Sequence, residues 1–299
     1  MKKVFGTVAL LVCVCALMPS YAAASPGGDD RPIRFAVLAD PHLYDSRLGT
    51  TGEAFEMYLA QDRKLLRESE AIADAAVTAL LEGKPDFVLV AGDLTKDGSL
   101  RSHLKMAAKL RRLERAGIEV YVVPGNHDIC NPHALAYEGA DTYPVENVSP
   151  RQFKFIYARF GYAQARVRDR HSLSYAAYPS KDVCLLAIDS CIYEDNEELG
   201  YPATGGRIQP ETLAWIRRVA VRAQASGKTV IAFMHHGVLE HYYGQTQLFP
   251  DYVIQDWQTV SQALAQAGVS LVFTGHFHAL DISMNVWQDE DNTPYALYD

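Results

Sequence analysis

Residues 87–93 read FVLVAGD, a run of five apolar residues that ends directly in a glycine and an aspartate. A short continuous apolar run that is bounded by a turn residue is typical of a strand covered on both faces. Residues 119–128, EVYVVPGNHD, repeat this pattern and add an asparagine, a histidine and a second aspartate. Buried strands that run straight into polar side chains predict an α/β sheet whose ligands converge at the carboxyl ends of the strands.

Similar runs recur along the chain, and helix-like stretches separate them. The predicted strands are 33–39, 87–91, 119–123, 183–189, 230–235 and 271–274. The predicted helices are 53–82, 102–116, 209–225 and 258–267. A glycine follows each helix, as expected for a left-handed C-terminal cap: Gly83, Gly117, Gly227 and Gly268. This alternation predicts the α/β fold class.

The overall composition excludes several classes of protein. The chain has 299 residues, a formal charge of −8, 48% hydrophobic residues and a mean hydropathy of −0.10. These values exclude a disordered protein, a collagen-like fibre and a multi-span membrane protein. The acidic balance argues against a nucleic-acid partner, because such binding needs a basic face that releases counterions.

The first residues are typical of a secretory signal peptide. A basic start at Lys2 and Lys3 precedes the apolar run 4–18 and the small residues Ala22, Ala23 and Ala24. We therefore predict a signal peptide over 1–24, a single domain over 25–299, and export to the periplasm, the medium or the cell surface. Lipid anchoring at Cys13 or Cys15 is the alternative, although the residues before them lack the usual small side chain. The domain needs no membrane span, and its oligomeric state is left open.

Three cysteines remain in the predicted mature chain, namely Cys130, Cys184 and Cys191. Seven extended residues separate Cys184 from Cys191 by roughly 23 Å, which is beyond disulfide reach. Disulfides are therefore not expected to organise the fold.

Two segments depart from the alternation of strands and helices. Segment 130–180 is long and aromatic-rich, which suggests a cap or insert. Segment 293–298 has the pattern of a strand that continues to the end of the sequence, which suggests a fragment.

Metal-ligand residue types follow five of the predicted strands. The five clusters are Asp40-Pro41-His42, Gly92-Asp93, Gly125-Asn126-His127-Asp128, His235-His236 and Gly275-His276-Phe277-His278. Aspartate and histidine with one asparagine, and no cysteine, suit borderline metals such as zinc, manganese or iron. Seven candidate ligands exceed what one tetrahedral ion needs, so the set predicts two divalent ions that share a carboxylate.

In order and spacing, these five motifs resemble the calcineurin-like metallophosphoesterases. The resemblance implies a four-layer α-β-β-α sandwich with the dimetal site at the carboxyl ends of the strands. It implies one metal held by Asp40, His42, Asp93 and His278, and the other held by Asp93, Asn126, His235 and His276. Either member of the His235-His236 pair could be the ligand, and similar family members favour the first.

The branch within the family is suggested by two residues. Purple acid phosphatases carry a tyrosine three residues after the Gly-Asp aspartate, where this chain has Lys96. The Gly92-Asp93-Leu94 form looks more like bacterial relatives of class III cyclic-nucleotide phosphodiesterases and glycerophosphodiesterases.

The predicted activity is hydrolysis of a small-molecule phosphomonoester or phosphodiester. Two ions about 3.5–4 Å apart can hold a bridging hydroxide for in-line attack on phosphorus. His127 is expected to assist the leaving group, and Asp128 either orients that imidazole or serves as a turn residue. The alternatives are another dimetal hydrolase and a non-catalytic exported binding module.

Three segments that follow ligand-bearing strands are expected to shape the substrate mouth: 130–180, 190–208 and 237–256. The last two are rich in aromatic residues, notably Tyr193, Tyr201, Tyr242, Tyr243, Phe249 and Tyr252. These rings either line the pocket or pack the loops onto the domain, and the second use is the commoner one.

Overall fold

The computed structural model describes residues 31–299. The predicted signal peptide, 1–24, and the candidate lipidation sites Cys13 and Cys15 lie outside these described residues. Within 31–299, no helix combines the length and the apolar character that a membrane span needs. Cys130, Cys184 and Cys191 are free thiols, which agrees with the expectation that disulfides do not organise the fold.

The first sheet has three parallel strands in the order β1-β2-β3: β1 (Phe35–Leu38), β2 (Phe87–Ala91) and β3 (Glu119–Val123). Their bounds agree with the predicted strands within two residues. All five residues of β2 are buried, because this strand lies in the middle of the sheet and has side chains packed on both faces. The parallel register places the three carboxyl ends at one edge.

A short hairpin precedes the second sheet and consists of β4 (Leu135–Glu138) and β5 (Asp141–Pro144). The second sheet has seven strands: β6 (Val167–Arg168), β7 (Tyr175–Ala177), β8 (Val183–Ala187), β9 (Thr229–Phe233), β10 (Val269–Phe273), β11 (Met284–Gln288) and β12 (Pro294–Tyr298). Their spatial order is β11-β12-β10-β9-β8-β7-β6. β8, β9 and β10 are parallel, so their carboxyl ends also share one edge. The segment 293–298 is largely strand β12.

Eight α-helices are described: α1 (Glu53–Gln61), α2 (Ser69–Gly83), α3 (Leu100–Arg115), α4 (Pro150–Ile156), α5 (Asn196–Leu199), α6 (Pro210–Ala225), α7 (Gln245–Leu248) and α8 (Trp257–Gln266). The single helix predicted over 53–82 is wrong, because the chain breaks between α1 and α2. Asp62 ends α1, and its carboxylate accepts the backbone N–H of Lys64 (2.9 Å) in a turn that competes with the helix. Gly117, Gly227 and Gly268 have positive φ as predicted, but after α2 the left-handed residue is Lys84 rather than Gly83.

Side-chain alternation along β8 and β9 divides the core into two clusters. Leu185 and Phe233 pack in the cluster that contains the first sheet, whereas their neighbours Leu186 and Ala232 pack with α6 and α8. Helices α2 and α3 add Leu80 and other apolar residues to the first cluster. The predicted mixed α/β class is confirmed, and the four-layer order stays a prediction.

The aromatic segment 130–180 contributes to the core. Its large rings Phe153, Tyr157, Phe160, Tyr162 and Tyr175 are buried in the cluster of the first sheet. Aromatic rings bury more area than any other side chains, so this segment stabilises the junction between the two sheets.

Tyr175 joins the second sheet to the edge strand β3 of the first. Strand β3 lies at the edge of its sheet, and Val122 there has no neighbouring strand on one side. The Tyr175 hydroxyl accepts the Val122 N–H (3.1 Å) and donates to the Val122 carbonyl (3.0 Å). A single side chain thus satisfies both backbone groups of a buried residue, which would otherwise lose their hydrogen bonds.

Replacing Tyr175 with phenylalanine should lower the free energy of unfolding by about 1–3 kcal/mol, because two buried backbone groups lose their partner. Urea denaturation of the purified chain measures this change. Tyr162→Phe is the matched control, since Tyr162 is equally buried, packs on Tyr175, and carries a hydroxyl without a partner among the described residues. A Tyr162→Phe variant as destabilised as Tyr175→Phe would contradict the role of these hydrogen bonds.

Candidate metal centre

Loops after five parallel strands bring the predicted site residues together. β1, β2 and β3 lead into loops that carry Asp40, His42, Asp93, Asn126 and His127. β9 and β10, from the other sheet, lead into loops that carry His235, His276 and His278. The carboxyl edges of the two sheets therefore meet at one place, and the motifs converge there as the sequence pattern predicts.

Five of the seven predicted ligands have a left-handed backbone, with φ values of 52° (Asp40), 40° (His42), 47° (Asp93), 70° (His276) and 54° (His278). Such values are uncommon for residues with a side chain and cost about 1–3 kcal/mol each. Residues in this conformation cluster at functional sites, where the surrounding structure holds them in place. The chain therefore bends sharply at the points where its ligand side chains must converge.

Acceptor atoms face one another around His235. Its Nδ1 donates to the Ala91 carbonyl (3.0 Å), so Nε2 is the free ring nitrogen. This Nε2 lies 3.0 Å from Asn126 Oδ1 and 3.4 Å from Asp93 Oδ2. It also lies 3.1 Å from Nδ1 of His276, whose Nε2 donates to the Asp251 carbonyl (3.0 Å). Two nitrogens and two oxygens with free lone pairs thus surround one point, an arrangement that calls for a cation.

A second group of acceptors surrounds His42. Its Nε2 lies 3.1 Å from Nε2 of His278 and 3.6 Å from Asp93 Oδ2. Nε2 of His278 also lies 3.4 Å from Asp40 Oδ1. The ligand atoms of Asp40, His42 and His278 all fall within 4.8 Å of one another.

Asp93 lies between the two groups and faces both. Its Oδ2 is 3.4 Å from His235 and 3.6 Å from His42, whereas its Oδ1 accepts the His127 N–H (2.9 Å). The backbone of Gly125 passes so close that an added Cβ would lie 2.1 Å from Asp93 Oδ1. Only glycine fits there, so the loop after β3 can fix this carboxylate in its shared position.

The charge states of the site suit metal binding. Burial lowers the pKa of His42 well below its ordinary value, and burial together with the neighbouring His235 lowers the pKa of His276 to about 3. Both rings are therefore neutral near pH 7, which is the form that binds a metal ion. Burial also lowers the pKa of His235, but the Asp93 carboxylate outweighs it and raises the value to about 9. The site thus attracts positive charge, and the residues present fit two cations.

The structure distinguishes the two adjacent histidines after β9. Nδ1 of His236 lies 2.8 Å from the Ser190 hydroxyl, and its Nε2 lies 3.0 Å from the Thr204 carbonyl. Both ring nitrogens of His236 are therefore engaged, whereas His235 has one nitrogen free. This geometry favours His235 as the ligand, although His236 lies within the same cluster.

The carboxylate beside His127 is Asp97, and the predicted orientation of this ring by Asp128 is wrong. His127 Nδ1 lies 2.9 Å from Asp97 Oδ1, which leaves Nε2 free. Although burial lowers the pKa of His127, Asp93 and Asp97 outweigh it, and the net direction is upward. Behind Asp97, the buried ammonium of Lys96 contacts the same carboxylate and lies 4.0 Å from the centre of the Tyr58 ring.

Asp128 instead ties two ligand loops together, which agrees with its interpretation as a turn residue. Its carboxylate accepts the backbone N–H groups of Leu94 (3.0 Å), Thr95 (2.9 Å) and Gly125 (2.9 Å). The Thr95 hydroxyl donates a fourth hydrogen bond to the same carboxylate (2.9 Å), so all of its acceptor positions are used and none is left for His127. The loops after β2 and β3 are therefore held in a fixed mutual position.

Sequence reasoning missed Asp97 and Lys64. Asp97 stands four residues after Asp93, a spacing in the loop after β2 that could have drawn attention to it. Lys64 lies in the break between α1 and α2, which the sequence pattern placed inside a helix. It lines a cavity of about 370 Å³ together with His42 and His278, and its ammonium pairs with the Asp62 carboxylate (3.3 Å).

Some tyrosines of the loops at the substrate mouth pack these loops onto the domain, and others border the metal centre or face solvent. Tyr193 is buried, and its hydroxyl donates to Asp189 Oδ2 (2.9 Å), so it packs its loop onto the domain. Tyr252 stacks on the ring of His276, with centroids 4.8 Å apart, and therefore borders the centre. Tyr201 and Tyr243 are exposed.

Known proteins resemble this chain in sequence pattern or in structure. A model of the calcineurin-like phosphoesterase family matches residues 33–280. A dimetal phosphatase from Danio rerio is similar in structure, with 15% identity, a TM-score of 0.53, and coverage of 87% of this chain and 85% of that one. A purple acid phosphatase from yellow lupin seeds has 11% identity, a TM-score of 0.48, and coverage of 87% and 40%. None of the curated proteins matches the chain.

The chain belongs to the calcineurin-like phosphoesterase family, because the family match covers most of its length. It is a metal-dependent phosphoester hydrolase, with His and Asp clusters that can hold metal ions. The resemblance seen in the five motifs is thereby confirmed at the level of the family.

Bound metal should report which of the adjacent histidines is a ligand. The free Nε2 of His235 faces the ligand cluster. We therefore expect the His235→Asn variant to retain one Mn²⁺ or Zn²⁺ per chain, where the unmodified chain retains two. His236→Asn should retain both ions, even if the loss of its two hydrogen bonds lowers the melting temperature. Mass-spectrometric metal analysis after dialysis measures the stoichiometry. Loss of an ion from His236→Asn alone would reverse the assignment.

Proposed function

We propose that the chain hydrolyses a small-molecule phosphomonoester or phosphodiester at two divalent metal ions. The supporting observation is the pair of acceptor groups that share the Asp93 carboxylate. In this proposal Asp40, His42, Asp93 and His278 hold one ion, and Asp93, Asn126, His235 and His276 hold the other. Manganese, zinc or iron would match these nitrogen and oxygen donors. Such ions supply a water of lowered pKa and stabilise negative charge on the phosphoryl oxygens.

His127 acts as the general acid in this proposal. Its Nδ1 is held by Asp97, so Nε2 is the nitrogen that can give a proton to the leaving oxygen. As the oxygen of water bonds to phosphorus, the bond from phosphorus to the alcohol oxygen breaks, and this proton converts the leaving alkoxide into the alcohol. The raised pKa of His127 keeps more of the ring in its protonated form near neutral pH.

Two further residues have supporting roles. Asp97 is a positioning residue, since it contacts His127 and not the reacting atoms. Lys64 lines the cavity beside His42 and His278, where its ammonium, which pairs with Asp62, can also bind a phosphate oxygen.

The chain's branch and its location are also part of the proposal. The dimetal phosphatase from Danio rerio has the same fold, and we extend its dimetal activity to this chain. Lys96 stands where purple acid phosphatases carry their metal-binding tyrosine, which supports a branch nearer to the class III phosphodiesterases. The basic, apolar and small-residue pattern of 1–24 supports export.

Replacing Asp93 with asparagine should lower kcat/KM for 4-nitrophenyl phosphate or its bis ester by about 10²–10³-fold, because both ligand groups lose their shared charge. Release of 4-nitrophenolate by the Mn²⁺-loaded or Zn²⁺-loaded chain measures the rate. The exposed Asp182→Asn variant is the control and should retain full activity. Full activity in Asp93→Asn would reject the dimetal scheme.

Replacing Asp97 with asparagine should lower kcat by about 10–100-fold with little change in KM, since general acid catalysis contributes about 10²–10⁴-fold. Asp97 raises the pKa of His127, so its removal lowers that pKa. The acid form is then lost at lower pH, and the alkaline limb of the kcat–pH profile should move in that direction. An unmoved alkaline limb would show that Asp97 does not act through His127.

A further inference from the structure

Four aromatic rings form a continuous surface beside the metal centre, which we call the aromatic rim. Tyr242, Phe249 and Tyr252 come from the loop after β9, and Phe277 comes from the loop after β10. The ring of Phe277 lies 5.5 Å from Tyr252, 6.2 Å from Tyr242 and 6.4 Å from Phe249. The two loops that carry ligands thus also build one apolar surface.

The aromatic rim touches a metal ligand directly. The Tyr252 ring stacks on the His276 ring with centroids 4.8 Å apart and planes 29° apart. The carbonyl of the adjacent Asp251 accepts a hydrogen bond from His276 Nε2 (3.0 Å). The aromatic rim therefore begins at a residue that is proposed to bind metal.

Much of the aromatic rim faces solvent. Tyr242 is 40% exposed, Phe249 is 47% exposed and the neighbouring Leu248 is 70% exposed. Isolated apolar residues are common on protein surfaces, but contiguous apolar patches mark binding sites. Because this patch adjoins the catalytic residues, the substrate itself is the occupant that its position supports.

The charges around the rim narrow the chemistry of that occupant. Segments 237–256 and 276–283 contain no lysine or arginine, and their acidic residues include Asp251 and Asp281. These two segments therefore offer no ammonium or guanidinium group to a second phosphate or to another anionic group. Lys64 lines the cavity beside His42 and His278, and its ammonium there pairs with the Asp62 carboxylate (3.3 Å).

We propose that the substrate is a phosphate ester of an apolar alcohol, with the alcohol lying on the aromatic rim and the phosphate at the metal centre near Lys64. This inference rests on the proposed phosphoesterase function and adds the substrate class to it. Burial of the apolar alcohol against exposed aromatic rings supplies the binding energy that selects this class over highly charged esters.

Esters that differ only in chain length test the proposal. n-Butyl, n-hexyl and n-octyl phosphates, and the matching 4-nitrophenyl alkyl diesters, are assayed with the Mn²⁺-loaded full chain below their micellar concentrations. Full burial of one methylene is worth about fourfold in binding, and contact on one side is worth about half that energy. We therefore expect kcat/KM to rise about twofold per methylene, or about 16-fold from butyl to octyl.

Binding is measured separately from turnover. The Kd values of n-butyl and n-octyl phosphonate, which are not hydrolysed, should show the same dependence on chain length by isothermal titration calorimetry. Phe249→Ser should weaken this dependence at least about fourfold between butyl and octyl, since a large apolar contact is lost. Phe155→Ser is the matched control: Phe155 is 83% exposed on α4, away from the rim, and its loss should leave the dependence unchanged.

The outcomes separate the two proposals. If no ester is hydrolysed, the proposed function fails. The phosphonate Kd values then still test whether the aromatic rim binds the alkyl chain, because they do not depend on turnover. If neither kcat/KM nor Kd depends on chain length, or if Phe155→Ser weakens the dependence as much as Phe249→Ser, the rim does not hold the alcohol. A different outcome would make the rim an interface between two copies of the chain. In that case neither kcat/KM nor Kd depends on chain length, the unmodified chain is a dimer in solution, and Phe249→Ser is a monomer.

Discussion

The repulsion between converging lone pairs is the constraint on which the rest of the structure depends. Nε2 of His235 lies within 3.4 Å of two oxygen acceptors and of a third acceptor on His276. Burial makes this repulsion costly, since little water can screen it. A positive charge among these atoms relieves the repulsion. The raised pKa of His235 has the same origin, because a proton on this ring also supplies a positive charge.

The framework around these atoms holds a geometry that the isolated loops would not adopt. Left-handed backbone at five ligands requires firm support on both sides, which the buried parallel strands provide. Asp128 fastens two of the loops through three backbone N–H groups, and Gly125 allows the close approach to Asp93. The rigid sheets thus hold the ligand-bearing loops in fixed positions.

Sequence patterns predicted the six parallel strands β1, β2, β3, β8, β9 and β10 and the converging motifs, because both depend on short-range information. The short strands β4 to β7 and strand β11 were not predicted. A buried parallel strand is a local apolar run, and its carboxyl end is fixed by topology. The break between α1 and α2 was missed, since it depends on the Asp62 carboxylate competing with the helix for a backbone N–H. Asp97 was missed in favour of Asp128 because adjacency in sequence does not indicate which way a side chain points in a tight loop.

The two acceptor groups each draw residues from both sheets, and the separations along the chain are large. His42 and His278 are 236 residues apart, and Asn126 and His235 are 109 apart. A bound ion would close loops of this size as a cross-link does, and the entropy it removes from the unfolded chain grows with loop length. The three described cysteines are all free, so metal coordination would be the cross-link between distant parts of the described chain. Such a site can be completed only after the loop following β10 has been synthesised, so metal loading would be a late step in folding.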